Sequence, residues 1–591
     1  MVLDCFFDSL DMAELKSAVQ SAFKNASNPP LLDLKTVWDV ALMAMWQSIA
    51  DEELKPCNWN FPNDKNWLYN RLKPLITKDA NILSVMKDSF NNRLEESFCY
   101  DQIFWVQTKK DFLIKAYLVS NLLKKIPGDK IAVMLPSLSI TSLLVVACYM
   151  ANKVPVMLNR TQSEEAFKHC LKTQNVEVIL TSKSFFKQIQ TPRLKKYNMT
   201  FFEDLLAKIS IFQKLRAVIQ AKRFNIPKKI SDTAVVLFTS WSEALPKTVE
   251  LTHQNLLQDI IWALWNVSLA NYQDVEIVYL PPFHSFGFVL WTILPLVSWM
   301  RAVFTPDPND SKSIANLILH TKSTILASTP TFLKWIVQAA KENQINSLRI
   351  AIVWAEKCQK DLFTKFSRLA PNASIIEWYW ITECSPIISV NPLKRNAKIK
   401  RWTAWLPILW EKVKILNIDT LEELPAKKEW MIYVRGTNIF AGYLEKWLES
   451  PFVEIDWEQW YKTWDLWFID NEWYLTISWR LKRFVKIAWE MISLPAIETT
   501  LAKKWNSKTW EECLSIEAEE QDGDVKLTLF TTENIWLHDV NAYLREQWIS
   551  NLVHIDEIRQ VYEIPMLGTW KIDHVQLQKI MRWEQIKSKK K

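Results

Sequence analysis

The sequence predicts an α/β fold of layered, largely parallel sheets, followed by a smaller α+β unit. Three observations carry that expectation. Between about residues 77 and 480, short apolar runs alternate with longer amphipathic segments, the pattern of strand–helix units. The runs are too short for helices and bounded by polar residues. After the basic cluster at 480–483 the alternation gives way to a shorter mixed pattern that ends in a Lys-rich tail.

The strand candidates, in chain order, are KIAVML (130–135), PVML (155–158), VEVILT (176–181), TAVVLFT (233–239), VEIVYL (275–280), STILAS (323–328), LRIAIV (348–353) and SIIEW (374–378). Between them KKDFLIKAYLVSNLLKK (109–125), QNLLQDIIWAL (254–264) and PTFLKWIVQAAKEN (330–343) repeat apolar residues at helical spacing. The uncharged stretch Ile131–Asn152 is long enough to span a bilayer. Its Pro136, Ser137, Ser139, Thr141 and Ser142 favour a buried strand, a loop and a buried helix instead.

Ahead of this block, residues 1–50 read as short helices. In DSLDMAELKSAVQSAF the apolar Leu10, Leu15, Val19, Ala22 and Phe23 share a face, with Asp8 or Ser9 as N-cap. Residues 51–76, with Pro56, Pro62 and Pro74 among charges and Asn, read as a linker. The expected division is therefore 1–50, 51–76, a large domain at 77–478 and a small mobile domain at 479–591.

Net charge is +7, from 72 basic and 65 acidic residues. That mild excess fits a solvated surface, or a preference for an acidic partner such as a phosphorylated cofactor. It does not suggest nucleic acid. The eight Cys have irregular spacing and no C-x-x-C, which fits reduced thiols in a cytoplasm. MVLDCFFDSLD lacks the basic start of a secretory leader.

The composition holds one anomaly. The chain has 6 Gly and 32 Trp among 591 residues, whereas ordinary proteins are about 7% Gly. Many Trp therefore stand where a backbone would normally have Gly.

The motifs make that concrete. LFTSWSEALPK (237–247) follows a strand and offers hydroxyls, backbone N–H groups and a cation to a polyphosphate. With Gly at 241 it resembles the phosphate-binding loop of the adenylate-forming superfamily, which includes acyl-CoA synthetases, luciferases and peptide-synthetase adenylation domains. IEWYWITECSP (376–386) resembles that family's E-G-Y-G-x-T-E segment. IVWAEKC (352–358) is similar to its adenine-flanking segment. WYKTWDLWFID (460–470), ISWRLKRFVKIAWEMISLPAIE (477–498) and IPMLGTWKID (564–573) resemble three further motifs in the family's order.

The resemblance covers about residues 77–591 and implies a set of roles. Thr239, Ser240, Ser242, Glu243 and Lys247 would hold ATP phosphates. Ala355, Glu356 and Tyr379 would flank the adenine. Thr382 would contact the AMP phosphate and Glu383 would hold Mg²⁺. Asp465 and Arg480 would bind the ribose, Lys482 would be the hinge, and Lys571 would bridge the substrate carboxylate and phosphate. PPFHSFGF (281–288) places His284 at the acyl pocket, with a structural loop role as the alternative. The likeness is closest to long-chain acyl-CoA synthetases and to the acyl-carrier-protein synthetase half of a bifunctional synthetase/acyltransferase. It implies ATP, Mg²⁺, a fatty acid, and CoA or an acyl-carrier protein as partners, with contact at a membrane surface.

FFDSLDMAELKSAV (6–19) is similar to the D-S-L segment of acyl carrier proteins, which makes Ser9 a 4′-phosphopantetheine attachment candidate or a plain N-cap. The carrier's first helix is absent, so this is a partial carrier or one whose start lies upstream. Trp241, Trp354, Trp378, Trp380, Trp464, Trp467, Trp479, Trp489 and Trp570 all fall on family glycine places, whereas Trp460 matches a family tryptophan. The coherent reading is that UGA codons meaning Gly are written here as Trp. Read literally, the tryptophans would favour a non-catalytic carrier or scaffold.

Overall fold

The computed structural model describes Cys57, Trp59 and, with interruptions, residues 80–581. The expected carrier segment with Ser9 lies outside the described residues, as do Ser240, Ser242, Glu243, Ala355, Glu356, Lys482 and Lys571.

Two sheets form the body. One has eight strands in the order 387–390, 374–380, 350–353, 325–328, 275–278, 301–304, 97–101 and 105–108. Its six inner strands run parallel, and an antiparallel strand closes each edge. The second has six strands, ordered 199–201, 179–181, 130–133, 154–157, 233–239 and 247–252. It too is parallel until its last pair. Parallel strands are covered on both faces and therefore read as unbroken apolar runs. All eight expected strands form within a residue or three of their expected bounds.

The uncharged stretch resolves into the strand Lys130–Val133 and the helix Ser139–Met150. Every residue of that helix is buried, which explains the absence of charge without lipid. Among the described residues no helix is long and apolar enough to cross a membrane.

The segment from 403 to 480 departs from the expected parallel pattern. Its strands 403–404, 475–480, 458–469, 430–435 and 412–416 pair antiparallel throughout, with 452–455 added on 458–469. A strand of twelve residues, Glu458–Ile469, is its spine. Beyond it lie a two-stranded ribbon (484–487 with 490–493) and a three-stranded sheet (514–521, 524–531, 557–560). The helices Leu494–Trp505 and Leu537–Glu546 supply Leu494, Ile497, Leu501, Val540 and Leu544 to a separate small core.

Candidate active site

The strand Thr233–Thr239 and its return, Lys247–Thr252, pair antiparallel with Thr239 opposite Lys247. The loop between them, the expected phosphate loop, thus starts and ends at one point on the sheet edge. The Thr239 hydroxyl is buried and makes no hydrogen bond among the described residues. A buried hydroxyl without a partner loses about 1–3 kcal/mol against a satisfied one, so native structures retain few of them. An acceptor-rich phosphate would complete it, so this residue fits the expected ligand.

Lys247 is also buried, and burial lowers its pKa against the opposing pull of Glu383 and Glu445. Its ammonium lies 4.2 Å from the centre of the Tyr443 ring, a cation–π contact that partly replaces water. The Tyr443 hydroxyl in turn donates to Glu383 Oε1 at 2.6 Å. Burial, then the Glu383 charge, push the Tyr443 phenol well above its ordinary pKa, so it stays a donor. Glu445 anchors the same strand: its carboxylate accepts from Thr248 N–H at 3.0 Å and from the Thr248 hydroxyl at 2.7 Å.

Glu383 sits on a single helical turn, Thr382–Cys384, after the strand Ser374–Trp380. Neighbouring Thr382 Oγ1 lies 3.1 Å from Ser285 Oγ, which ties this turn to the loop carrying His284. His284 is half-buried and its ring rests 5.1 Å from that of Phe283. The loop is held by a close approach. A Cβ on Gly287 would come 2.3 Å from the Pro281 carbonyl oxygen, so only Gly fits there.

Upstream on the same strand, the Tyr379 hydroxyl donates to Asp465 Oδ2 at 2.6 Å. Asp465 is buried and faces Arg480 across the antiparallel pair. The structure thus links Lys247, Tyr443 and Glu383, sets Thr239 opposite Lys247 and ties Thr382 to Ser285 beside His284, while Tyr379, Asp465 and the backbone of Arg480 meet across three strands. Met566 and Ile572 pair in an isolated bridge, and Lys571 lies outside the described residues. The strands ending at Arg480 and starting at Phe484 belong to two different sheets, and Lys482 lies outside the described residues.

Three contributors were not foreseen from the sequence: Tyr443, Glu445 and Ser285. A signal for two of them exists. Two of the six glycines, Gly436 and Gly442, fall in RGTNIFAGYLE (435–445), and Gly442 has φ +124°, a left-handed conformation that favours Gly.

The tryptophans at glycine places behave differently from one another. Trp464 has φ +61°, an outlier for a bulky side chain. Trp457 and Trp105 share that conformation at +63° and +58°, although neither falls in a motif. Trp378 and Trp380 are instead in ordinary strand, packed on Phe286. The buried indole N–H of Trp378 has no hydrogen-bond partner, but the same holds for Trp460, so this feature does not separate the two groups.

A family model described as AMP-binding enzyme matches residues 110–444, more than half of the chain. The chain belongs to the AMP-binding enzyme family. Its curated relatives include the medium-chain fatty-acid–CoA ligase of Escherichia coli, 26% identical over 77% of this chain and 82% of the relative. The long-chain-fatty-acid–CoA ligase of Bacillus subtilis is 23% identical over 73% of this chain and 81% of its own. Among solved structures, ATP-bound MatB from Rhodopseudomonas palustris superposes with a TM-score of 0.70 at 18% identity, covering 85% of this chain and 99% of that one. The o-succinylbenzoate CoA synthetase MenE of Bacillus subtilis, with its acyl-adenylate, gives 0.71 at 17% identity over 85% and 98%. The α/β adenylate-forming fold expected from the sequence is thereby shown.

Proposed function

We propose that this AMP-binding enzyme activates a fatty acid with ATP and transfers the acyl group to a phosphopantetheine thiol. The observation that carries the reading is the unpartnered Thr239 hydroxyl opposite buried Lys247, whose ammonium connects through Tyr443 to Glu383. A buried cation and an unpartnered buried hydroxyl at the two ends of a loop suit a polyphosphate; a plain turn needs neither.

In the first step a carboxylate oxygen of the fatty acid attacks the α-phosphorus of ATP. The bond to pyrophosphate breaks, and acyl-AMP remains. Lys247 with Thr239, Ser240 and Ser242 would hold the departing phosphates, and Lys571 the reacting carboxylate. Preorganised charges of this kind act most strongly where water is excluded. Glu383 is the residue that would hold Mg²⁺, since a carboxylate beside a phosphate site is a natural oxygen ligand for a hard cation, and bound Mg²⁺ supplies charge neutralisation. Asp465 and Arg480 would hold the ribose, with Tyr379, Ala355 and Glu356 around the base. His284, on the loop tied to Thr382, would face the acyl chain. In the second step the thiol sulfur attacks the acyl carbonyl, AMP leaves and the thiol proton passes to solvent. Rotation at Lys482 would admit the thiol.

The names of the relatives favour CoA as acceptor, and the carrier-like N-terminal segment with Ser9 favours an acyl-carrier protein. Contact with a membrane surface would supply the fatty acid. The motif tryptophans stand for glycine in this reading, which the positive φ of Trp464 supports. Peptide mass spectrometry of the native protein should find Gly at 241 and 464; Trp at both positions would remove the recoding and, with it, the activity. The glycine-restored enzyme should exchange pyrophosphate into ATP with palmitate present, then acylate CoA and carrier protein in separate assays. No exchange would leave a scaffold, and transfer to CoA alone would exclude the carrier.

A further inference from the structure

The helix Ile211–Arg223 inverts the usual amphipathic arrangement. Its small residues Ala217 and Ala221 face the core, while Ile211, Phe212, Leu215 and Ile219 point outward at 64%, 79%, 57% and 54% exposure. At 100° per residue these four fall within one face opposite the two alanines. Leu206, just upstream, extends the patch.

Nothing about this helix is loose. Ser210 and Gln213 form a capping box at its start. At its end Phe224 turns left-handed and buries its ring 6.3 Å from that of Phe90. Along its length Gln220 accepts from Asn121 at 3.0 Å, and beyond it Asn225 O accepts from Tyr117 at 3.0 Å. The apolar face is held out on a fixed platform.

The charges around it have one sign. Lys214, Arg216, Lys222, Arg223, Lys228 and Lys229 are all exposed, and no acid occurs between Asp204 and Asp232. Of the acids that flank this segment in sequence, Glu203 and Asp204 are both engaged by Lys183, and Asp232 lies nine residues past the helix. An exposed apolar stripe on a basic helix matches a surface with acyl chains beneath anionic head groups. A second copy docking face to face would set like charges against each other.

We infer that the helix Ile211–Arg223 lies on an anionic lipid bilayer, with Phe212, Leu215 and Ile219 entering the acyl boundary and the flanking lysines and arginines meeting lipid phosphates. This deepens the membrane contact proposed above by naming its surface, and it does not depend on which thiol is acylated.

The test uses the full chain, sedimented with vesicles of phosphatidylcholine alone or with a quarter phosphatidylglycerol. The protein should pellet with the anionic vesicles, and binding should fall as salt rises. Phe212→Ser, Leu215→Ser and Ile219→Ser combined should weaken binding about tenfold or more, with an unchanged melting temperature because all three side chains are exposed. Lys222→Glu with Arg223→Glu should weaken it and flatten the salt dependence. Equal binding by the triple variant, or none by the unaltered chain, overturns the inference. So does a dimer in sedimentation velocity that the triple variant converts to monomer without any vesicle binding. Pyrophosphate exchange with water-soluble octanoate should match in the unaltered chain and the triple variant. Loss of exchange in both would remove the proposed activity and leave the vesicle result standing.

Discussion

The molecule buries ionisable groups in two ways. Around Lys247, Tyr443 and Glu383 each polar group meets another. Among the described residues, Glu276 on the strand Val275–Val278 has no hydrogen-bond partner for either carboxylate oxygen, and His253, at the start of the helix His253–Asn266, accepts from Ile82 N–H through Nδ1 and leaves Nε2 unpaired. Both regions exclude water, so the difference lies in what surrounds the charge. A networked cluster can hold a charge ready for a ligand, whereas an isolated group must give up its charge. Desolvation, with a smaller contribution from Asp274, pushes the Glu276 carboxyl well above its ordinary pKa of 4.5. Desolvation lowers that of His253 from 6.5 to about 4.

The largest effect should come from disturbing the cluster. Glu383→Gln keeps an acceptor for Tyr443 and removes the charge, so pyrophosphate exchange should fall by about 10²–10³ with little change in melting temperature. Tyr443→Phe, which keeps the ring under Lys247, should lose about tenfold. If both variants exchange at the unaltered rate, the cluster is merely structural and the contrast between the regions disappears.

A smaller effect is expected at His253. Its folded pKa lies below the unfolded value, so its contribution to stability is present above pH 6.5 and is lost as pH falls toward 4. The loss should approach roughly 3 kcal/mol. Urea melts at pH 7 and pH 4.5 of the unaltered chain and of His253→Gln should converge as pH falls; parallel curves would mean the ring is not titrating in isolation.

Glu276 should give the smallest effect and the opposite sign. Its raised pKa means the folded chain holds the proton longer, so stability is full below about pH 4.5 and lost as pH rises. Glu276→Met should therefore raise stability by about 1–3 kcal/mol, more at pH 8 than at pH 5. A destabilised variant at pH 8 would show that the carboxylate has work to do in the sheet.

Much of the body was legible because parallel strands are buried on both faces. VEIV and IAIV announce themselves as apolar runs whatever they pair with. The strand Arg301–Phe304 escaped notice because it opens with a charge, and that arginine is buried. The strands Ser97–Asp101 and Trp105–Thr108 are five and four residues long, too short for their apolar residues to show a period. The antiparallel segment after 403 depends on pairings that local periodicity does not encode. At the site, the order of the segments singled out Lys247, Tyr379, Glu383 and Asp465, which the structure places in contacts spanning distant parts of the chain. Tyr443 was not among them, since its meaning comes from Glu383, which stands 60 residues earlier in the chain. Glu445 is likewise defined by Thr248, 197 residues away.

The register that sets Thr239 opposite Lys247 reaches beyond binding. Thr239 and Lys247 are register partners on neighbouring strands of a six-stranded sheet, so the sheet itself sets where the segment between them leaves and returns. On the phosphate-binding role proposed for residues 240–246, a change there, Trp for Gly at 241 included, should act on catalysis and leave the sheet to fold.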